Sequence, residues 1–401
     1  MIMISRAAGL AALALAAFAG PGTPAAADDA PIAPGQAVAP ELPGAARVEV
    51  VFVLDTTGSM SGLIDGAKKK IWGIADEIRK ANPNAEIRLG LVGYRDRGDL
   101  YVTTVTDLTS DIHAVYGKLI EFRAQGGGDW PESVNEALNV AVTRLAWTRT
   151  PETRRIVFLV GDAPPHMDYA QDIPFTDTLK IAERDSILVN AVQAGAAQDT
   201  ALVWRTIASL GRGRYIPIPQ SGGVVVIETP YDQQILQLQL RLNSTVLPYG
   251  PARQQYEVHG KLRLREAAPA PAASDMASFL ARAAPRPAAP PPGSTTQTAT
   301  LAPPAPVITG EGDLVADVAA GRADPSKIKR EELAPELRDL SEADRKAAIE
   351  AKVKERKALQ DELDGLVAKR DAALATERAK RASAGDGFDE VVQGVIRDQV
   401  R

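Results

Sequence analysis

Val48-Glu49-Val50-Val51-Phe52-Val53-Leu54-Asp55-Thr56-Thr57-Gly58-Ser59 is the stretch that decides the fold. Its first seven residues are an almost unbroken apolar, mostly β-branched run. That is the pattern of a strand covered on both faces, as in parallel sheets flanked by helices. The run stops at a carboxylate, three hydroxyls and a glycine. Beyond them Leu63, Ile64, Ala67, Ile71, Ile74 and Ile78 recur at helical spacing within 62–80.

Working outward, 87–94 reads as the next strand and 101–108 as another. The gap between them is too short for a crossover helix, so the pair is expected to be an antiparallel hairpin. Helices are predicted over 111–122 and 132–145, separated by the turn Gly126-Gly127-Gly128. Strands follow at 155–161, 187–194 and 214–218, with helices at 177–184, 200–210 and 232–242. Strands alternating with helices imply an α/β domain over 47–260, with a doubly wound, mostly parallel sheet.

The flanks differ in character. Arg6, the apolar run 7–19 and Ala25-Ala26-Ala27 form an export-signal pattern over 1–27. Residues 28–46 read as a linker, and 261–312, rich in proline and alanine, as a disordered one. From 313 to 401 a separate helical region is expected, with Ser341 and Asp344 as a helix cap. Its narrow stripe of Ile349, Val353, Leu359, Leu363, Leu366, Val367 and Leu374 fits either a solvated helix or a coiled coil, the latter opening a route to homo-oligomers. The stretch 388–400 is amphipathic and could fold back on that helix.

The chain has no cysteine, which excludes disulfides, a thiolate nucleophile and thiolate metal ligands. With the signal pattern, this fits an exported protein, with the periplasm as the expected address and an extracellular one as the alternative. No later stretch suits a membrane span. The net charge of −5 and the lack of a basic tract argue against nucleic acid as a partner. Asn243-Ser244-Thr245 matches a glycosylation pattern that matters only in a eukaryotic host.

Chemistry gathers at the strand ends. In a doubly wound sheet the ligand crevice lies beyond the strand C-termini where the strand order reverses. Asp55, Thr57 and Ser59 stand at one such end and offer hard oxygen donors, suited to Mg²⁺, Mn²⁺ or Ca²⁺. Alone, that turn could equally be a helix cap. Asp162, in Val160-Gly161-Asp162-Ala163-Pro164-Pro165, ends a second strand, and Gly126-Gly127-Gly128-Asp129-Trp130-Pro131-Glu132 supplies a third acidic loop.

These loops make residues 47–245 resemble the von Willebrand factor type A (VWA) family, with its D-x-S/T-x-S loop and strand-end Asp. Asp129-Trp130-Pro131-Glu132 is similar to the D-x-P-E loop of integrin β-subunit I-like domains. The resemblance implies a six-stranded sheet with one antiparallel edge strand. It also implies a metal-ion-dependent adhesion site of Asp55, Thr57, Ser59, Glu132 and Asp162. A second metal is implied at Asp96, Asp129, the Pro131 carbonyl and Glu132. Gly127 stands where integrins have an asparagine, which removes one ligand there. A further flanking integrin site is not expected, because Gly62-Leu63 replaces its acidic pair.

The expected function is therefore binding: a divalent cation gripping an exposed Asp or Glu of a protein partner, with Trp130 and His166 adding contacts. His166 also reads as an ordinary surface loop residue. Arg97-Gly98-Asp99 reads as turn chemistry rather than an adhesion motif. No catalytic residue is assigned. The alternatives are a metal-assisted hydrolase and an assembly protein driven by the C-terminal helix.

Overall fold

The apolar runs pair into a six-stranded sheet of order β3-β2-β1-β4-β5-β6 in a computed structural model, which describes residues 46–223, 225–283, 304–381 and 388–400. The strands are β1 (Arg47–Asp55), β2 (Glu86–Tyr94), β3 (Thr103–Thr109), β4 (Thr153–Gly161), β5 (Ile187–Ala194) and β6 (Arg212–Ile218). The signal expected over 1–27, and the linker but for its last residue, lie outside the described residues. Among the described residues no helix is long and apolar enough to cross a membrane.

β1 lies parallel to both β2 and β4, while β3 runs antiparallel to β2 at the edge, with Thr103 opposite Tyr94. The chain moves outward from β1 to β3, then returns to place β4 on β1's other side. The order thus reverses between β1 and β4, and their C-terminal ends open the crevice.

Alternation along β1 divides the core. Val48, Val50, Phe52 and Leu54 face α1 (Ser61–Ala81) and α2 (Ile112–Glu121). Val51 and Val53 face the layer of α3 (Val134–Thr143), α4 (Phe175–Arg184) and α5 (Gln198–Leu210). This is the two-sided burial that the apolar run requires.

The expected linker over 261–312 is corrected in part. Helices α6 (Asp232–Asn243) and α7 (Ala252–Ala267) are followed by α8 (Ala270–Arg282), which packs on α1 through Met276, Phe279 and Leu280. Proline content misled the reading. Pro269 and Pro271 occupy the cap and first turn of α8, where a missing N–H costs nothing. Asn243 of the glycosylation pattern is buried and accepts a hydrogen bond from Arg265 Nε at 2.6 Å.

The C-terminal region is not separate either. After α9 (Leu314–Ala319), the long α10 (Glu342–Arg381) buries Leu359, Leu363 and Val367 against α6 and α8, so the stripe offered to a coiled-coil partner is covered within this chain. Two buried arginines hold it. Arg356 donates to both Asp313 oxygens (2.7 and 3.0 Å) and to Thr245, while Arg370 reaches Asp232 and Asp275 at 2.7 Å each. A charged helix read as solvated is thereby anchored through satisfied guanidinium groups. Finally α11 (Phe388–Gln399) packs on α1 and β6 rather than on α10.

Two outcomes are expected. Ile396→Ala removes a fully buried side chain between α11 and α1 and should lower stability by about 2–4 kcal/mol in a denaturant melt. An unaltered midpoint would mean that α11 does not dock. His113 is buried with Nδ1 2.9 Å from Thr309 Oγ1. Burial, reinforced by Arg265 and Lys261, holds its imidazole well below the usual 6.5. The unfolded chain then binds the proton more readily, so this contribution is complete above about pH 6.5 and is lost as pH falls below it. The melting temperature should drop on acidification through that range, and less steeply in His113→Gln.

Candidate metal centre

Three loops meet beyond the ends of β1 and β4 because their backbones are laced together. Gln125 N donates to Thr56 O and Gly58 N to Gly126 O, both at 3.1 Å. Glu132 N donates to Pro164 O and His166 N to Glu132 O, both at 3.0 Å. Gly127 has φ +78°, and a Cβ there would stand 2.9 Å from Glu132 Oε1 and 3.1 Å from Thr57 Cβ. A glycine is what lets this turn close between the two side chains.

Asp55 is fully buried at the end of β1. Its Oδ1 accepts from Thr57 N at 2.8 Å and Thr57 Oγ1 at 2.6 Å, while its Oδ2 has no partner. Because the Thr57 hydroxyl proton is committed to Asp55, its lone pairs are free to face a cation. Ser59 Oγ lies 3.4 Å from Thr57 Oγ1. Asp162, just past β4, accepts from Gln220 Nε2 at 2.6 Å. Glu132 is buried too, and its Oε2 has no partner.

The electrostatics follow from this crowding. Burial pushes the Asp55 carboxyl up to about 7, opposed by the Thr57 hydrogen bonds and aided by Asp162. Burial pushes Glu132 up to about 9, with Asp55, Asp96, Asp99 and Asp162 adding repulsion. Buried like-charged carboxylates with unpartnered oxygens are stable only when protonated or when a cation sits among them. Carboxylate and hydroxyl oxygens are the donor set of a hard divalent ion, so the residues present fit one.

The expected second group assembles with altered membership. Among the described residues, the one set of three His, Asp or Glu ligand atoms within 4.8 Å of one another is Asp96, Asp129 and His166. Glu132, expected beside Asp96 and Asp129, is not in it. His166 is no surface loop residue: it is 5% exposed and stacks on Tyr169 with ring centroids 4.0 Å apart. Trp130 is 47% exposed, its indole N–H donating to Asp199 Oδ2 at 2.7 Å. Arg97 pairs with Asp172, and Asp99 Oδ2 accepts from Asp96 N (3.2 Å) and Gly127 N (3.0 Å), so that tripeptide serves the turn. Gln220 was missed by sequence reasoning. Gln220's only signal was its place just beyond β6, at the same edge.

A doubly wound sheet with an acidic cluster at its switch point defines a class of α/β folds, and the comparisons sharpen it. Residues 49–229 match the family model for the von Willebrand factor A domain, which supports a likeness to the VWA domain family over that segment. Such domains generally mediate protein–protein interaction and often bind a divalent metal. The chain is similar to rat von Willebrand factor A domain-containing protein 7, 40% identical over 114 residues, 28% of this chain and 12% of that protein. It is 28% identical over 120 residues to the Dictyostelium discoideum alpha-protein kinase vwkA, 30% of this chain and 19% of that one. The chain thus matches only a small part of each relative. The crystal structure of the SpRpn10 VWA domain aligns over 44% of this chain and 90% of its own, at 14% identity and a TM-score of 0.34, too low to weigh by itself.

Removing the Asp55 charge should relieve the metal-free cluster. In EDTA at about pH 8, above the raised Asp55 value, Asp55→Asn is expected to melt at or above the wild-type temperature. A lower melting temperature would show that the carboxylate supports the fold instead.

Proposed function

We propose that this domain binds a divalent cation of the Mg²⁺ class through Asp55, Thr57, Ser59, Glu132 and Asp162, and uses it to hold an Asp or Glu of a protein partner. The observation that carries the reading is the pair of buried, partnerless oxygens, Asp55 Oδ2 and Glu132 Oε2, on two facing loops. The bound ion would neutralise the cluster and offer an open coordination position. The chain's own groups do the rest: Thr57 presents hydroxyl lone pairs, Gln220 orients Asp162, and Gly127 lets the two loops close.

The rim suits a protein surface. Leu100, Trp130, Met167 and Ile173 are large apolar side chains left exposed on the loops beside the cluster. Exposed apolar side chains of this size are the kind of surface that marks protein–protein contact. On the pattern of residues 1–27 the proposal places the protein outside the cytoplasm, in the periplasm of a bacterial host.

The test compares wild type and Asp55→Ala, both as full chains. Mg²⁺ at about one hundred times its Kd should stabilise the wild type by about 2.7 kcal/mol. The same ion should support an EDTA-reversible pull-down of a carboxylate-bearing partner. Asp55→Ala should lose both responses while keeping its circular dichroism. Equal Mg²⁺ stabilisation and equal capture by the variant would sink the proposal.

A further inference from the structure

We propose that His166, Asp96 and Asp129 form a second, chemically different metal site, one for a nitrogen-preferring transition ion of the Zn²⁺ class. It lies beside the Asp55 cluster but shares no side chain with it.

The histidine is built for ligation. Its Nδ1–H donates to Asp168 Oδ1 at 2.8 Å, which leaves the lone pair on Nε2. Stacking on Tyr169, with planes 13° apart, fixes the ring. Nε2 is buried and makes no hydrogen bond. Yet it points at two carboxylate oxygens, Asp96 Oδ2 at 3.4 Å and Asp129 Oδ2 at 3.6 Å. A nitrogen lone pair facing two anionic oxygens is repulsive unless a positive centre lies between them.

The spacing suits a metal. Ligands held about 2.0–2.1 Å from a tetrahedral zinc stand roughly 3.3 Å from each other. Calcium ligands can show similar spacing, so the donor type decides. An imidazole nitrogen is a poor ligand for Mg²⁺ or Ca²⁺ and a preferred one for zinc-like ions. The supporting shell is present as well. Ser133 Oγ donates to Asp96 Oδ1 at 2.9 Å and Tyr169 OH to Asp96 Oδ2 at 2.8 Å. Asp96 and His166 are therefore both oriented from behind, as metal ligands commonly are. Asp129 is the exposed arm that closes the set from solvent, leaving a fourth position for water or a partner group.

The consequence falls on Glu132. Asp129 precedes it in the same loop, Ser133 follows it, and its carbonyl accepts from His166 N. An ion joining Asp129 to His166 pins the second loop to the third, and so holds Glu132 in place for the first site.

The experiment is Zn²⁺ titration of the EDTA-stripped full chain in excess MgCl₂, followed by calorimetry, with CoCl₂ as an optical probe. One equivalent of Zn²⁺ should bind despite the Mg²⁺, and Co²⁺ should give the intense visible bands of a tetrahedral nitrogen–oxygen site. His166→Gln should weaken Zn²⁺ binding at least tenfold. So should Asp129→Asn, whose exposed position keeps the fold safe. Asp55→Asn should lose the Mg²⁺ response and keep Zn²⁺. Absence of Zn²⁺ binding in the wild type would overturn the proposal. So would Zn²⁺ binding that survives His166→Gln, or that disappears with Asp55→Asn. The first site can fail its own test without touching this one.

Discussion

The burial of several carboxylates at one edge of a parallel sheet is the constraint around which the rest is arranged. β1 pairs with β2 on one side and β4 on the other, which brings Asp55 and Asp162 to the same mouth. Parallel strands all point their C-termini the same way, so each contributes a loop to that edge. Glu132 arrives from outside the sheet, held by a bridge to Pro165. Thr57, Gln220 and Ser133 each satisfy one carboxylate in part. Asp55 Oδ2 and Glu132 Oε2 are still left without a partner, and they are the oxygens that call for a cation. A site that stores like charge in this way is costly to the apo fold, which two well-covered sheet faces can bear.

How much of this the sequence disclosed depended on whether the signal was local. Val48 to Leu54 announced a doubly covered strand through composition alone, and the hairpin followed from the short gap after Tyr94. Asp55 and Asp162 could be paired only by assuming where the strand order reverses, which the topology bears out. His166 looked like a surface residue because nothing in Pro164-Pro165-His166 tells that Tyr169 and Asp96 will cover it. Loop burial is a property of the folded neighbourhood.

The same limit explains the C-terminal half. Arg356 and Arg370 count as surface charge in any pattern reading, yet both are buried against carboxylates far away in the chain. Pro271 reads as a breaker until its place in the first turn of α8 is known. What reads as linker plus free helix is in large part a jacket packed on α1 and α6, and it shares their core clusters.

One detail of that jacket bears on mechanics. α1 leaves the Asp55–Ser59 loop after a single turn and runs 21 residues, about 30 Å. At its far end Asn82 Nδ2 donates to Val400 O at 2.9 Å, and Val395 and Ile396 lie along its flank. A tug on the end of α11 is therefore borne by a stiff rod whose other end is the Asp55–Ser59 loop. A displacement at one end of α1 is thus carried to the other along one continuous helix, so the packing of α11 and the position of the Asp55–Ser59 loop are mechanically linked.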